Sequence, residues 1–178
     1  MKTAIVLGGS ESCHEELANA LELAPSALVL ACNDHIQEYS GECVGVTLQG
    51  VKIKGWLLGR QTRKYPRLQD LWFYEPHVLT TRMAECKWRG SVGLFGVQIA
   101  LECLAMERVM LAGVPMTTVG GHFIRQQRWV ACDHFWPKWA QWEPQMRGKV
   151  RSFSGRTAEL LGVPDREWLQ TQEATVAA

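Results

Sequence analysis

Three short, largely apolar segments that run straight into turn-forming residues most constrain what this chain can fold into. Thr3 to Leu7 opens into Gly8-Gly9-Ser10, Ala27 to Cys32 into Asn33-Asp34-His35, and Arg108 to Ala112 into Gly113. A strand with no polar alternation is covered on both faces, which is the situation of a parallel sheet sandwiched by its crossover helices. The intervening segments supply such helices. Leu17, Ala20 and Leu21 recur at helical spacing, Ser12 and Glu15 are placed for a capping box, and Pro25 stops the run. Residues 43–48 form a third expected strand, 51–60 a short helix, and 71–74 a fourth strand. Residues 75–90 are polar and irregular. Gly90-Ser91 opens a helix whose apolar side carries Val92, Phe95 and Ile99. A long loop, 114–128, precedes a Trp-rich segment (Trp129, Trp136, Trp139, Trp142). A last strand over 150–153 and two short helices complete the chain. Strands alternating with helices predict an α/β fold, a three-layer α/β/α sandwich around a mostly parallel sheet. One domain is expected over residues 1–170, with a frayed tail at 171–178.

Charge narrows the partners. Nineteen Lys and Arg against eighteen Asp and Glu leave a net charge of +1, so no strong overall field gathers a phosphate backbone, and nucleic acid is not expected as a partner. No apolar run reaches the ~20 residues of a bilayer span, and the first residues lack the apolar core of a signal peptide. A cytoplasmic protein without membrane contact is expected. The six cysteines form no CxxC pair and read as buried, reduced thiols. Cys13-His14 and Cys132-Asp133-His134 are the only hints of metal ligands, and no metal site is expected.

In an open parallel sheet, ligands bind outside the carboxyl ends of the strands. Three small-residue loops fall at such ends or at helix starts: Gly8-Gly9-Ser10-Glu11-Ser12, Arg89-Gly90-Ser91-Val92-Gly93, and Ser152-Phe153-Ser154-Gly155-Arg156-Thr157. Glycine admits close approach, helix N-termini present free N–H groups to anions, and Arg89 and Arg156 add charged forks. None of these loops has a P-loop or a GxGxxG pattern. Asn33 and Asp34 follow the second strand directly. Past Gly120-Gly121, His122 stands in a glycine-hinged loop with Arg125 and Arg128 behind it, the arrangement of a general base beside phosphate-binding arginines. The basic stretch 60–67 reads as a solvated loop or as a lid reaching phosphates. The tryptophans read as core or as a homodimer face.

Ile5-Val6-Leu7-Gly8-Gly9-Ser10-Glu11-Ser12 resembles the GNGPS opening of bacterial sialyltransferase-like proteins. Their relatives include motility accessory factor glycosyltransferases and 6-hydroxymethylpterin pyrophosphokinases. Leu30 to Asp34, and Gly90-Ser91-Val92 followed by Arg108 to Val114, resemble that group's second strand and its GSV segment. The segments around Gly120-Gly121-His122-Phe123 and Ser152 to Thr157 also resemble small uncharacterised proteins of phages and prophages. The resemblance implies a Rossmann-like fold that binds a nucleotide or nucleotide-sugar donor and needs no other cofactor. It puts Gly8, Gly9 and Ser10 at the phosphates, Asn33 at the nucleotide or donor sugar, and Gly90 and Ser91 facing the nucleotide; Ser12, Asp34, Ser154 and Gly155 join the nucleotide-binding candidates by their place in the loops. Arg89, Arg125, Arg128 and Arg156 would neutralise phosphate, with His122 as base. Two departures stand out: the family Asn is Gly9 here, and an Asp expected near the end of the fifth strand is Val114 or Pro115. The expected function is a metal-independent, glycosyltransferase-like transferase. The alternatives are an ATP-dependent pyrophosphokinase, drawing Mg²⁺ to Asp34, Glu11 or Asp133, and a non-catalytic nucleotide-binding or phage accessory protein.

Overall fold

The computed structural model describes residues 1–73, 87–88 and 90–171. Six parallel strands form one sheet: β1 (Thr3–Leu7), β2 (Leu28–Cys32), β3 (Val44–Thr47), β4 (Asp70–Phe73), β5 (Arg108–Ala112) and β6 (Val150–Ser152), in the spatial order β4-β3-β2-β1-β5-β6. The sheet is wholly parallel, and the three-layer Rossmann-like α/β arrangement follows from how its two faces are covered.

Strand periodicity divides the core. Ala4 and Val6 of β1, with Leu30, Val44, Val46 and Val109, face α4 (Val92–Gln98), the π-helical turn Ile99–Cys103 that continues it, and α5 (Cys132–Met146). Ile5 and Leu7, with Val29, Ala31, Met110 and Ala112, face α1 (Cys13–Leu23) and α7 (Arg166–Gln170). Ala4 to Leu7 are completely buried, as a central parallel strand must be. Two short helices, α2 (His35–Glu38) and α3 (Ile53–Thr62), pack beside each other, and α6 (Gly155–Leu161) packs on β6.

The expected elements recur with small shifts at their ends. The Trp-rich segment is the clearest gain in definition: Trp129 precedes a single helix, α5, that carries Trp136, Trp139 and Trp142 despite Pro137 and Pro144 inside it. Its Trp139 is fully buried, and Trp142 stacks on Trp88 with ring centroids 4.9 Å apart, so these aromatics serve the chain's own core. Two local expectations fail. Ser12 holds the N-cap position of α1 but makes no capping bond. Its hydroxyl instead donates to Glu16 Oε1 at 2.6 Å, because Glu16 is drawn inward to accept the Gly113 N–H at 2.7 Å. Arg60 of the basic stretch is buried and donates to the carbonyls of Pro66, Ile36, Tyr39 and Gly41, so it clamps loops and offers nothing to a phosphate.

Cys13, Cys32, Cys43 and Cys132 are buried free thiols, whereas Cys103 is exposed. Cys86, Arg89, the irregular stretch expected at 75–90 and the 172–178 part of the tail lie outside the described residues, apart from 87, 88 and 90. Among the described residues no helix is long and apolar enough to cross a membrane.

Candidate functional site

The sheet order reverses between β1 and β5, so their two following loops diverge and open a crevice at the carboxyl edge. Here the long loop after β5 folds back over the loop after β1. Phe123 N–H donates to the Gly9 carbonyl at 3.0 Å and Glu11 N–H to the Gly121 carbonyl at 2.9 Å, with an isolated antiparallel bridge between Ser10 and His122. The Glu11 carboxylate also accepts the Gly121 N–H at 3.1 Å. The loop is curled tightly by Gln126 N–H onto the His122 carbonyl at 2.7 Å. This places the His122 ring against Gly9 so closely that a Cβ there would lie 2.7 Å from Nε2.

The loop after β2 supplies the facing groups. Asp34 sits at the N-cap of α2, with Oδ1 accepting from Trp56 Nε1 at 3.0 Å. Its Oδ2 lies 3.6 Å from His122 Nε2 and 3.5 Å from an Arg125 nitrogen. His122 Nδ1 accepts the Ile124 N–H at 3.3 Å, so in the neutral ring the proton belongs to Nε2 and points at Asp34. Partial burial lowers the His122 pKa; Asp34 opposes this, while Arg125 and Lys52 add to it. The ring is therefore held neutral near pH 7 despite its carboxylate neighbour.

Beneath the pair lies an aromatic floor. His35 is buried and donates from Nε2 to the Gly8 carbonyl at 2.9 Å, and burial drives its pKa down to about 4. Its ring stacks on Phe123 at 4.1 Å with 2° between planes, and His14 meets Phe123 edge-on at 5.5 Å. A cleft of about 450 Å³ opens beside these groups, lined by Glu11, His14, His122, Phe123, Gln126 and Arg128 among others.

The structure thus brings Gly9, Ser10, Asp34, His122 and Arg125 into one cluster, with Gly8 beneath it and Arg128 on the cleft wall. It disposes of other expected residues differently. Asn33, at φ 52°, accepts from Thr47 through its side-chain oxygen at 2.8 Å. Ser10 and Ser12 hydroxyls bond each other at 2.9 Å and lead to Glu16. Gly90 packs on Lys138, and Ser91 is buried, its hydroxyl accepting from Leu94 N–H at 3.4 Å and Trp139 Nε1 at 3.1 Å. Arg156 pairs with Asp133 at 2.6 Å and lies 4.1 Å over the Trp136 ring. The buried Ser154 hydroxyl has no hydrogen-bond partner among the described residues, and Gly155 precedes the Arg156 N–H that donates to the Pro115 carbonyl.

The Gly8, Ser10 and Glu11 N–H groups, the Gly9 carbonyl and the Ser10 and Ser12 hydroxyls of the glycine loop are therefore partnered within the chain, and a carboxylate, Glu11, stands beside it. The cations near the cleft gather instead around Asp34 and His122. Sequence reasoning missed His35, Trp56, Phe123 and Lys52. The only available signal was that His35 shares the β2 end with Asp34. Among the described residues, no group of three or more His, Cys, Asp or Glu side chains could hold a metal ion. Comparison with family models, with curated proteins and with solved structures returns no match for this chain, so the site stands on its geometry.

Proposed function

We propose that this protein binds a nucleotide or nucleotide-sugar in the crevice at the β1/β5 switch point and transfers a group from it to an acceptor hydroxyl. The observation that carries this reading is the pairing of His122 Nε2 with Asp34 Oδ2 at 3.6 Å, with the Arg125 guanidinium beside them. Two atoms so spaced can both lie ~2.8 Å from a third, the ordinary length for a hydroxyl bonded to each. An acceptor hydroxyl in that position donates to Asp34 and accepts from His122 Nε2–H. As its oxygen bonds to the donor carbon, its proton passes to Asp34, which thus takes the base role expected of His122, while the His122 Nε2–H holds the attacking oxygen in line. The bond from that carbon to the phosphate oxygen breaks, its electrons leave with the phosphate, and Arg125 and Arg128 neutralise the departing charge.

A thermal-shift titration with CMP, CDP, UDP, GDP and ATP, each with and without Mg²⁺, tests the reading. A nucleotide at one hundred times its Kd adds about 2.7 kcal/mol, several degrees in a domain of this size. A metal-independent shift with a pyrimidine or guanine nucleotide is the expected result. A shift with ATP alone that requires Mg²⁺ replaces the transferase by the pyrophosphokinase, and no shift with any nucleotide removes nucleotide binding altogether. With the donor in hand, His122→Ala and Asp34→Asn should each cut turnover at least a hundredfold while His122→Ala retains nucleotide binding.

A further inference from the structure

The net charge of +1 averages over a very uneven surface. From Cys43 to Gln69 the chain has no acidic residue, and of its six basic ones Arg60 is buried and Arg63 pairs with Glu38, which leaves Lys52, Lys54, Lys64 and Arg67; from Arg108 to Cys132 it again has no acid, and with Arg108 buried at the start of β5 its exposed cations are Arg125 and Arg128. The two stretches meet at the carboxyl edge. The first forms the turn after β3 and α3, the second the loop after β5, and Asp34 joins them by holding Trp56 of α3 on one oxygen and facing Arg125 with the other. Lys52 is near enough to act on the charge of His122.

Exposed apolar side chains stand among these cations. Trp56 and Arg60 turn one stripe of α3 inward, and away from it Lys54 and Leu58 share another stripe, with Val51 in the 3-10 turn Gly50–Lys52 just before the helix; Val51 is 84% and Leu58 64% exposed. On the β5 loop, Val119 (80%) and Ile124 are exposed ahead of Arg125, and Trp129 and Val130 (77%) directly after Arg128. Basic residues alone would suit any polyanion. A Trp among cations can stack on a base, but exposed Val, Leu and Ile have no work on a nucleic acid; they match a lipid interface, where apolar groups enter the acyl boundary and cations meet headgroups.

We infer that this rim of the carboxyl edge is a docking surface for an anionic phospholipid bilayer, which the protein engages peripherally. The inference shares Arg125 and Arg128 with the nucleotide reading but is tested apart from it, because Lys54, Val51 and Val130 have no part in the proposed transfer.

Co-sedimentation of the full chain with vesicles tests it. Vesicles of phosphatidylcholine with phosphatidylserine should carry the protein down, and vesicles of phosphatidylcholine alone should not. Each basic residue at an anionic surface is worth roughly fivefold in affinity, so Lys54→Glu should weaken binding by at least that factor. Val51→Asp and Val130→Asp, at open surface positions where the fold is indifferent, should weaken it further, with melting temperatures unchanged as the control for folding. Three results would each overturn the inference. One is no sedimentation with either vesicle. Another is sedimentation that Val51→Asp and Val130→Asp leave intact. The third is tighter binding to an oligonucleotide than to the anionic vesicles, which would identify the rim as a nucleic-acid surface.

Discussion

Two glycines at the switch point look alike in the sequence and do different things. Gly113 has φ +72°, and a Cβ there would lie 2.5 Å from both the Gly8 carbonyl oxygen and Cys13 Cβ. Neither neighbour can yield, because the first is backbone of the central strand end and the second is fully buried. Gly9 has no such backbone constraint. Its space is taken by the tip of the His122 ring, a partly exposed side chain on a loop that can move aside. Gly113→Ala should therefore cost upward of 2 kcal/mol and lower the melting temperature by several degrees. Gly9→Ala should leave the melting temperature within about 2 °C of the parent and displace His122 from Asp34. Turnover of an identified donor should then fall at least tenfold. Equal melting temperatures for the two variants would show that the two positions are not distinguished in this way.

At the scale of elements, legibility followed burial. The central strands β1, β2 and β5 were readable because each is a short, largely apolar run buried on both faces, so composition alone marks them. The helix α5 was only partly readable. Its prolines at 137 and 144 remove backbone donors, and the spacing of Trp136, Trp139 and Trp142 was the one helical sign. What fixes it is tertiary: Trp139 Nε1 donates to the Ser91 hydroxyl, which also receives the Leu94 N–H at the start of α4. One hydroxyl thus joins the first turn of α4 to the middle of α5. The motif that suggested a nucleotide contact at Ser91 is a helix cap and an anchor. Ser91→Ala strands a buried indole N–H and removes a cap together, so it should destabilise by about 2 kcal/mol. Ser91→Thr keeps the hydroxyl and should lose less of it. Denaturant unfolding of both variants checks this, and a Ser91→Ala protein as stable as the parent would restore Ser91 to the list of candidate ligand contacts. The Asp34–His122 pair was illegible for a related reason. Each residue stood out in its own loop, but only the sheet order, with β2 and β5 flanking β1, makes the loops neighbours.

At the scale of the whole molecule, His35 ties together the parts whose convergence makes the crevice. It stands at the end of β2, bonds the carbonyl at the end of β1, and stacks on Phe123 from the loop after β5. Its charge state is therefore coupled to global stability. Burial, aided by the charges of His14 and His122 and opposed by the Gly8 hydrogen bond and Asp34, brings its folded pKa to about 4, whereas an unfolded histidine titrates near 6.5. Between those values the unfolded chain binds a proton that the folded chain refuses, so stability rises with pH across that window. The contribution is complete above about pH 6.5 and is lost progressively as the pH falls toward 4. His122, also shifted downward, acts in the same sense but is partly exposed and screened. Between pH 6.5 and 5, above the range where ordinary carboxylates protonate, the loss should be about 2 kcal/mol, or several degrees in melting temperature. His35→Gln keeps a side-chain donor for the Gly8 carbonyl but cannot titrate, so its melting temperature should be nearly flat over the same interval. The parent and the variant would have to show the same slope for His35 to be acquitted of this role, in which case the pH dependence would belong to groups away from the switch point.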